Sequence, residues 1–421
     1  MINNEEIIQG LIGHPLGHSY SPYIHKRLSG FDYKLFDLSK NELESFIKNT
    51  SYTGLNVTIP YKEEVIKYLD YVDDVAMTIG AVNTIIRRGD KTYGYNTDVV
   101  GFDELLKHYK INLRGKNVLI LGTGGTKKTV QYVVSKYTKK IFIATRKASD
   151  YDNNIYNYDD LKLIENDINY IINTTPVGMS PNISSSPISL EKYLSLEGVI
   201  DVIYNPLHTT LLLEAKNFKI PYYNGLFMLV YQAYQASCLF FNKKYNEEIL
   251  YDIYKELLLK NSSIMLIGMP ASGKSTIGRI LSEIVNQPFV DLDDEITKTF
   301  KKTPKEIIEE EGEAAFRNKE TLCLSKYSNQ NGLIIASGGG IVTNYKNYEL
   351  IKHNFICVYL KRKPKEKSLN SSRPLSSSID KWLELYQKRK ELYEKFADII
   401  VESLDKPIDT AYEVIKRIKK S

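Results

Sequence analysis

The chain has 421 residues, 43% of them hydrophobic and 25% charged, and a formal net charge of +5. At roughly 100–200 residues per domain, this length allows two or three domains. No uninterrupted apolar run approaches the roughly 18 residues of a membrane-spanning helix, and the polar start from Met1 to Glu6 lacks a signal peptide's apolar region. The composition excludes an integral membrane protein, and we expect a cytoplasmic location with no membrane partner.

Lysines are spread along the chain instead of clustering with aromatic residues, so the sequence predicts local anion sites and no nucleic-acid partner. The cysteines have no metal-type spacing, which is typical of a reducing compartment. They are Cys238, Cys323 and Cys357. Short β-type runs alternate with helical ones, a pattern that predicts parallel sheets covered by helices. The sequence alone defines no oligomeric state.

Polar groups in the first hundred residues lie in turns, where a scaffold presents chemistry. Ser19 and Ser21 come just before a predicted helix start, and their hydroxyls suit a small polyol acid. A strand-like run that begins at Gly54 delivers Thr58 and Lys62 to its carboxyl end. These residues are candidates for substrate binding.

Two further β-type runs are each followed by a polar side chain, Asn83 after the first and Asp98 after the second. Asp98 and Lys62 form a candidate acid–base pair, and a surface ion pair is the alternative that the pattern alone leaves open. His14, His18 and His25 do not predict a metal site, because proline and glycine break the helix that would align the first two and no carboxylate lies near them in sequence.

A first glycine-rich turn, Gly122-Thr-Gly-Gly125, follows the apolar run 118–121 and predicts the strand-turn-helix entry of a dinucleotide-binding unit. Lys127 stands at the third small position of that motif, so its side chain must point away from the sheet. The next strand-like run, 141–144, ends in Thr145-Arg146-Lys147. Cations there suit the 2′-phosphate of NADP, whereas a carboxylate would hold the ribose of NAD. A solvated basic turn is the alternative.

The second glycine-rich turn, Gly268-Met-Pro-Ala-Ser-Gly-Lys274-Ser275, matches a complete P-loop. It follows the apolar run 264–267 and precedes a helical pattern that opens near Thr276. Its backbone N–H groups can hold phosphate oxygens, Lys274 can reach the β- and γ-phosphates, and the Ser275 hydroxyl can ligate Mg²⁺. The charged helical segment 246–260 ends just before this unit and lacks the composition of a flexible tether.

Downstream of the P-loop, Phe289-Val-Asp291-Leu-Asp293 predicts two carboxylates on one face at the end of a strand, where they can share one site. Arg317 and Arg389 lie in helical patterns. For these two arginines, charges on solvated helix faces are the alternative.

The first half of the chain resembles shikimate dehydrogenase over roughly residues 5–255. The resemblance rests on His18-Ser-Tyr-Ser-Pro22, Asn56-Val-Thr-Ile-Pro-Tyr-Lys62, Gly80-Ala-Val-Asn83-Thr, Asn96-Thr-Asp98, Gly122-Thr-Gly-Gly125, Asn173-Thr-Thr-Pro-Val-Gly178-Met, Tyr204-Asn-Pro and Gly225-Leu-Phe-Met-Leu-Val-Tyr-Gln232. It implies reduction of 3-dehydroshikimate to shikimate with NADPH, and Lys62 and Asp98 as the catalytic pair. It implies substrate contacts from Ser19, Ser21, Thr58, Asn83, Asp98, Tyr204 and Gln232. It implies cofactor contacts from Gly122, Thr123, Gly124, Gly125, Thr126, Thr145, Arg146, Val202 and Gly225.

The second half resembles shikimate kinase across residues 263–418. The resemblance rests on the P-loop, the Asp291–Asp293 segment, Gly312-Glu-Ala-Ala-Phe-Arg317, Ser337-Gly338-Gly339-Gly340, Arg373-Pro-Leu and Arg389-Lys-Glu-Leu-Tyr393. It implies ATP contacts from Ala271, Ser272, Gly273, Lys274, Ser275, Thr276 and Arg373. It implies Mg²⁺ held by Ser275 and, through water, by Asp291. It implies shikimate contacts from Asp293, Arg317, Gly339 and Arg389, with Asp293 and Arg373 catalytic.

One part of the second half departs from the family. Arg373 would lie in a serine-rich lid, and an arginine that is usual earlier in that lid, near the adenine, is replaced by Lys363, Lys365 and Lys367. The departure implies weaker stacking on the adenine.

We therefore expect an α/β protein with three parts: a substrate domain (1–101, with 233–260 returning to it), a Rossmann NADP domain (102–232) and a P-loop kinase domain with a parallel sheet (261–421). The expected function is bifunctional, with shikimate as the product of one half and the substrate of the other. In the alternative, only one half is catalytic and the other is a nucleotide-binding regulatory or docking module. A quinate dehydrogenase would need a carboxylate near Arg146 or altered hydroxyl-binding residues, and neither is visible.

Overall fold

A computed structural model describes residues 8–17, 19–147, 150–328, 330, 332–362 and 379–419. Within these ranges no helix combines the length and the apolar character needed to cross a bilayer. The chain forms two compact units, one ending at Tyr254 and the other beginning at Lys255, with Asn205–His208 grouped with the second. The lid arginine Arg373, like the lysines that precede it, lies outside the described residues.

The first unit begins with a six-stranded mixed sheet. Its strands are β1 (Gln9–Gly13), β2 (Tyr33–Asp37), β3 (Gly54–Val57), β4 (Tyr71–Val72), β5 (Thr84–Arg88) and β6 (Lys91–Tyr95), and its helices are α1 (Ser21–Ser29), α2 (Lys40–Asn49), α3 (Asp74–Ile79) and α4 (Asp98–His108). The strand order is β2-β1-β3-β5-β6-β4, with β5 antiparallel to β3 and β6. Because β1 and β3 are parallel, their carboxyl ends lie at one edge and present the segments that follow Gly13 and Val57 there.

The second sheet of this unit also has six strands, all parallel. They are β7 (Val118–Leu121), β8 (Ile141–Thr145), β9 (Ile155–Asn157), β10 (Tyr170–Asn173), β11 (Gly198–Asp201) and β12 (Tyr222–Asn224), accompanied by α5 (Gly125–Ser135), α6 (Thr210–Asn217) and α7 (Leu226–Phe241). The order β12-β11-β10-β7-β8-β9 places β8 and β10 on opposite sides of β7. A crevice therefore opens at the carboxyl ends of β7 and β10, where open parallel sheets bind their ligands.

The second unit contains a five-stranded parallel sheet in the order β14-β15-β13-β16-β17. Its strands are β13 (Ser263–Ile267), β14 (Phe289–Asp291), β15 (Ile334–Ala336), β16 (Phe355–Lys361) and β17 (Ile399–Glu402). Its helices are α9 (Lys274–Val285), α10 (Leu292–Phe300), α11 (Pro304–Glu311), α12 (Glu313–Ser325), α13 (Lys346–Asn354), α14 (Ile379–Phe396) and α15 (Pro407–Ile418). One further helix, α8 (Glu247–Asn261), contains the division between the units.

The central strand β13 shows how the sequence builds this sheet. Successive side chains of a strand point to opposite faces. Met265 and Ile267 accordingly join one hydrophobic core, while Ile264 and Leu266 join the core on the other face. A strand buried on both faces reads as a continuous apolar run, which is why the segment before the P-loop was recognisable as a strand.

The apolar runs in front of both glycine-rich turns are strands, and the α/β class with mainly parallel sheets is confirmed. The helix after the P-loop begins at Lys274, two residues before the predicted position. A larger difference concerns β14, which ends at Asp291, so that Asp293 lies in the first turn of α10. The expected pair of carboxylates on one strand face was wrong, because Asp291 caps the helix by accepting a hydrogen bond from the Asp293 amide (3.1 Å).

Candidate active sites

The turn after β7 forms the floor of a cavity of about 960 Å³. Gly122 has a φ of +112°, and a Cβ there would lie 2.9 Å from the Thr174 hydroxyl, so backbone conformation and space both require glycine. The cavity brings together seven of the predicted cofactor residues: Gly122, Thr123, Gly124, Gly125, Thr126, Thr145 and Arg146. A dinucleotide fits this cradle, because it combines a helix amino terminus with a turn in which three of the four residues are glycines without side chains.

Lys127 lies on α5, half-buried, and donates a hydrogen bond along the helix to Gln131 (3.2 Å). The buried face of α5 comes from other residues, among them Val130 and Val134. The expectation that the Lys127 side chain avoids the sheet is therefore met. Burial lowers the pKa of Lys127, and the neighbouring Lys128 lowers it further.

The sequence did not indicate the side of this cavity that faces Arg146. It is lined by Asn157, the last residue of β9, and by Tyr158 and Asp159, which follow that strand. Burial raises the pKa of the Tyr158 hydroxyl, while Arg146 acts in the opposite direction. These residues line the cavity because β9 pairs with β8. They belong to no sequence motif from which this position could have been predicted.

A second cavity, of about 200 Å³, adjoins the first, and Lys62 and Thr126 line both. It gathers every residue predicted to contact the substrate of the first half, together with two predicted near the nicotinamide. They are Ser19, Ser21, Thr58, Asn83, Asp98, Tyr204 and Gln232, with Val202 and Gly225. These residues span more than two hundred positions in sequence, so folding alone brings them together.

The Lys62 ammonium lies 2.6 Å from the Asp98 carboxylate, with the two side chains 15% and 10% exposed. The pair therefore lies inside the cavity, and the alternative of a surface ion pair is wrong. Asp98 is the first residue of α4, where the helix dipole favours a negative charge. This arrangement places a proton donor and a hydrogen-bond acceptor at the junction of the two cavities.

Asn83 shows which end of its amide is available to a ligand. The side-chain oxygen of Asn83, Oδ1, accepts hydrogen bonds from the Thr97 amide (2.7 Å), the Thr97 hydroxyl (3.2 Å) and the Thr84 hydroxyl (3.0 Å). Only its NH₂ group then remains to donate into the cavity. Asn56 also lines this cavity, and its carbonyl oxygen accepts the Tyr33 hydroxyl at 2.9 Å.

His14 and His25 have other partners within the protein, and His18 lies outside the described residues. His14 lies 2.6 Å from Asp37 at the end of the neighbouring strand, so a carboxylate that is distant in sequence lies near it in space. His25 is fully buried and stacks on Tyr33, and this burial lowers its pKa to about 3. Across the described part of the chain, no group of three or more histidine, cysteine or acidic side chains could hold a metal ion.

The P-loop of the second unit has the backbone of a phosphate cradle. Ala271 and Gly273 both have positive φ, +64° and +92°, which turns successive amides toward one point. Lys274 donates hydrogen bonds to the carbonyls of Gly268 (3.0 Å) and Met269 (2.9 Å). The Ser272 hydroxyl is buried without a hydrogen-bond partner among the described residues. A phosphate oxygen would satisfy it.

Magnesium fits the oxygen atoms beside this loop. The Ser275 hydroxyl donates a hydrogen bond of 2.6 Å to the Asp291 carboxylate, so two hard oxygen ligands lie together where the P-loop meets β14. Mg²⁺ usually takes one or two protein oxygens and completes its shell with water and phosphate. The pair therefore matches the ion without a larger acidic cluster.

Two arginines converge near the end of β15. Arg317 donates to Glu320 (2.9 Å) and Glu313 (3.0 Å), and Arg389 lies 3.8 Å from the same Glu313 oxygen. Both guanidinium groups are largely buried, so the alternative of solvated helix charges is wrong. A Cβ on Gly340 would collide with the Arg317 guanidinium, which explains a glycine at that position.

Gly339 serves the protein's own packing. Its carbonyl accepts hydrogen bonds from Arg389 (3.1 Å) and from the Tyr393 hydroxyl. A Cβ there would lie 2.8 Å from the Pro270 ring of the P-loop. The absent side chain thus lets the P-loop and the segment after β15 approach each other. This packing requirement holds whether or not a substrate ring binds beside Gly339.

Glu320 was not among the predicted site residues. Its side chain is fully buried, and burial raises its pKa to about 7, while Arg317 acts in the opposite direction. One carboxylate oxygen lies close to where Asp293 and Gly338 meet and has no hydrogen-bond partner among the described residues. The spacing Arg317-x-x-Glu320 on a helix was the available signal.

The two cavities of the first unit, with an acid–base pair between them, define a dinucleotide-dependent α/β oxidoreductase. The second unit, with its phosphate cradle, oxygen pair and paired arginines, defines a P-loop kinase. Family models agree: the shikimate dehydrogenase substrate binding domain matches residues 11–85, and shikimate kinase matches residues 270–419. The chain belongs to the shikimate dehydrogenase family and carries a shikimate kinase domain after it.

Individual relatives place the dehydrogenase match across the first part of the chain. A shikimate dehydrogenase (NADP(+)) of Clostridium perfringens is 39% identical over 264 residues, which is 59% of this chain and 97% of that protein. Shikimate dehydrogenase 1 from Peptoclostridium difficile is 38% identical, with a TM-score of 0.56 over 60% of this chain and 98% of that one. The Thermus thermophilus enzyme, solved in complex with NADP(H) and shikimate, is 27% identical, with a TM-score of 0.53 over 59% and 98% of the two chains.

Proposed function

We propose that this chain reduces 3-dehydroshikimate to shikimate with NADPH and then phosphorylates shikimate with Mg-ATP to shikimate 3-phosphate. The observation that carries the proposal is the Lys62–Asp98 pair, which lies where the dinucleotide cavity and the small polar cavity meet. Family membership supports the first activity, and the matched kinase domain supports the second.

In the reduction, NADPH supplies a hydride to the ring ketone when it is bound. Lys62 donates a proton to the alkoxide that develops on the ketone oxygen, because an ammonium within hydrogen-bond reach both stabilises and neutralises it. Asp98 accepts a hydrogen bond from a neighbouring substrate hydroxyl and holds the ammonium in place at 2.6 Å. Ser19 and Ser21 bind the substrate carboxylate through their hydroxyls, and the Asn83 amide donates to a ring hydroxyl.

In the phosphorylation, Asp293 accepts the proton of the attacking shikimate hydroxyl. Arg317 and Arg389 hold the substrate carboxylate, a task that a planar, forked guanidinium performs better than an ammonium. Ser275 and, through water, Asp291 would hold Mg²⁺, whose charge offsets that of the transferring phosphoryl group. Arg373 would approach that group from the lid, which lies outside the described residues.

The direct test feeds the purified chain with 3-dehydroshikimate, NADPH and Mg-ATP and identifies the products. We expect NADPH oxidation followed by one equivalent of ADP per shikimate formed. Omission of NADPH should stop both steps. Addition of shikimate should then restore the phosphorylation alone. A chain that makes shikimate but never phosphorylates it would instead support a regulatory or docking role for the second half.

Cofactor choice provides a second test. Arg146→Asp should weaken NADPH binding and relatively favour NADH, because it exchanges a partner for the 2′-phosphate for a partner of the ribose hydroxyl. Lys140→Asp makes the same charge change at an exposed position at the other end of β8 and serves as the control. The ratio of kcat/KM for the two cofactors is the measurement. A parent enzyme that already prefers NADH contradicts the assignment.

The proposed function also implies a division of the chain into domains. We propose a substrate domain of residues 1–101 with 233–260, an NADP domain of 102–232 and a kinase domain of 261–421. The division between the compact units inside α8 lies six residues before the last of these boundaries. The cytoplasmic location stays a prediction.

A further inference from the structure

Asp201 is the last residue of β11, and its carboxylate is fully buried. No described lysine, arginine or histidine forms an ion pair with it. A buried carboxylate without a cation is costly unless hydrogen bonds satisfy it. Three donors do so: the Thr209 hydroxyl (2.7 Å), the Ile203 amide (3.1 Å) and the Asn173 side-chain amide (3.1 Å).

The Asn173 contact extends this network to the next strand. Asn173 ends β10, and its side-chain oxygen accepts hydrogen bonds from the Thr175 amide (3.0 Å) and the Thr175 hydroxyl (2.7 Å). Its backbone oxygen accepts the Val202 amide at 3.1 Å. Asp201 and Asn173 thus tie the loop after β10 to the loop after β11 through atoms that have no access to solvent.

Both loops line the proposed dehydrogenase site. The loop after β10 supports the dinucleotide cradle, since Thr174 donates from its hydroxyl to the Leu121 carbonyl (2.6 Å) beneath Gly122. The loop after β11 carries Tyr204 and Val202, whose carbonyl would collide with a Cβ on Gly225. The loop after β10 therefore fixes the position of the dinucleotide cradle, and the loop after β11 forms one wall of the substrate cavity.

We propose that Asp201 is a positioning residue for hydride transfer. Through Asn173 and the Ile203 amide, it fixes the separation between the loop after β10, which supports the dinucleotide cradle, and the loop after β11, which lines the substrate cavity. The inference rests on the proposed dehydrogenase activity. Asp201 lines neither cavity, so it acts through the residues that do. Displacement of reacting groups by about 1 Å can cost about 10²-fold in rate, so a buried hydrogen-bond network at this point has a large effect on turnover.

Asp201→Asn tests this role with little change in volume, because it replaces one accepting oxygen by a donor that faces three donors. We expect turnover to fall by about 10-fold to 10²-fold, and shikimate to bind more weakly. We expect the dissociation constant of NADPH to stay within about threefold of the parent. The deuterium isotope effect with NADPH labelled at the transferred hydrogen should rise, because hydride transfer becomes more strongly rate-limiting.

Thr209 provides a milder pair of variants in case Asp201→Asn folds poorly. Thr209→Val removes the donor at similar volume and should shift turnover and the isotope effect in the same direction. Thr209→Ser keeps the hydroxyl and should restore both. Asp167→Asn, an exposed carboxylate near the opposite end of β10, is the matched control and should leave both unchanged.

An unchanged isotope effect and turnover in folded Asp201→Asn and Thr209→Val would overturn the positioning role. A parallel loss of thermal stability and of affinity for both ligands, without a change in the isotope effect, would also overturn it, since it would mean a general structural role. Absence of 3-dehydroshikimate reduction in the parent contradicts the proposed function instead. In that case the shikimate and NADPH dissociation constants of the variants still decide the positioning claim.

Discussion

Lys62→Ala should lower the turnover of 3-dehydroshikimate reduction by about 10²–10⁴-fold, the usual contribution of a positioned general acid. The effect should fall on kcat, because Lys62 lies within hydrogen-bond distance of Asp98 and lines both cavities at their junction. NADPH affinity, measured by the fluorescence of the bound cofactor, should change little. Phosphorylation of supplied shikimate should be unaffected.

Lys67→Ala is the matched control for this variant. Lys67 lies five residues further along the chain, with 58% of its side chain exposed and Glu64 as its partner, and its replacement should leave turnover at the parent value. Turnover of Lys62→Ala within tenfold of the parent would remove Lys62 from the proton-donor role. The proton would then have to reach the alkoxide from solvent or from another cavity residue.

Asp293→Asn should abolish phosphoryl transfer to shikimate, with a loss of at least about 10²–10⁴-fold. An amide neither attracts the proton of the attacking hydroxyl nor orients the nucleophile as a carboxylate does. Asp293 lies in the first turn of α10, outside the P-loop, so calorimetry should show Mg-ATP binding near the parent value. Retained Mg-ATP binding would show that the second unit is folded, and reduction of 3-dehydroshikimate would show the same for the first unit.

Asp294→Asn is the neighbouring control. Asp294 is 78% exposed and lies 3.9 Å from Arg279, so its replacement should leave both activities intact. Phosphorylation at the parent rate by Asp293→Asn would falsify the assignment of the base. Glu320, a fully buried carboxylate that contacts Arg317, would then be the next candidate.

The sequence predicts best where chemistry is local. Each phosphate loop lies between a buried strand and a helix, and a continuous apolar run followed by glycines encodes that arrangement within about fifteen residues. Four residues of the small cavity were candidates from their positions in turns and after a strand, but Tyr204 and Gln232 were predictable only through family resemblance. The four are Ser19, Ser21, Thr58 and Lys62. No spacing rule brings Ser19, Asn83 and Gln232 to one point, and only the packing of α1, the first sheet and α7 does so.

Two of the details that sequence reasoning missed depend on contacts between segments that are distant in sequence, and one depends on a local helix cap. Asp37 reaches His14 because β1 and β2 pair side by side, and nothing near either residue announces the partner. Asp293 turned out to be helical because the Asp291 side chain capped α10 instead of continuing the strand. Asp201 was not among the predicted site residues, because two of its three donors, Asn173 and Thr209, come from other segments of the fold.

The shared carboxylate Glu313 has a consequence for how the kinase half responds to its surroundings. Since one Glu313 oxygen already contacts Arg317 at 3.0 Å and lies 3.8 Å from Arg389, the substrate carboxylate proposed for this site would exchange places with an internal one. Binding by such an exchange changes the local net charge little, so ionic strength acts on both sides of the equilibrium at once. The affinity of this site for a carboxylate would therefore depend less on salt concentration than the affinity of two unpaired arginines. It would depend more on the free energy needed to move the half-exposed Glu313 side chain into water.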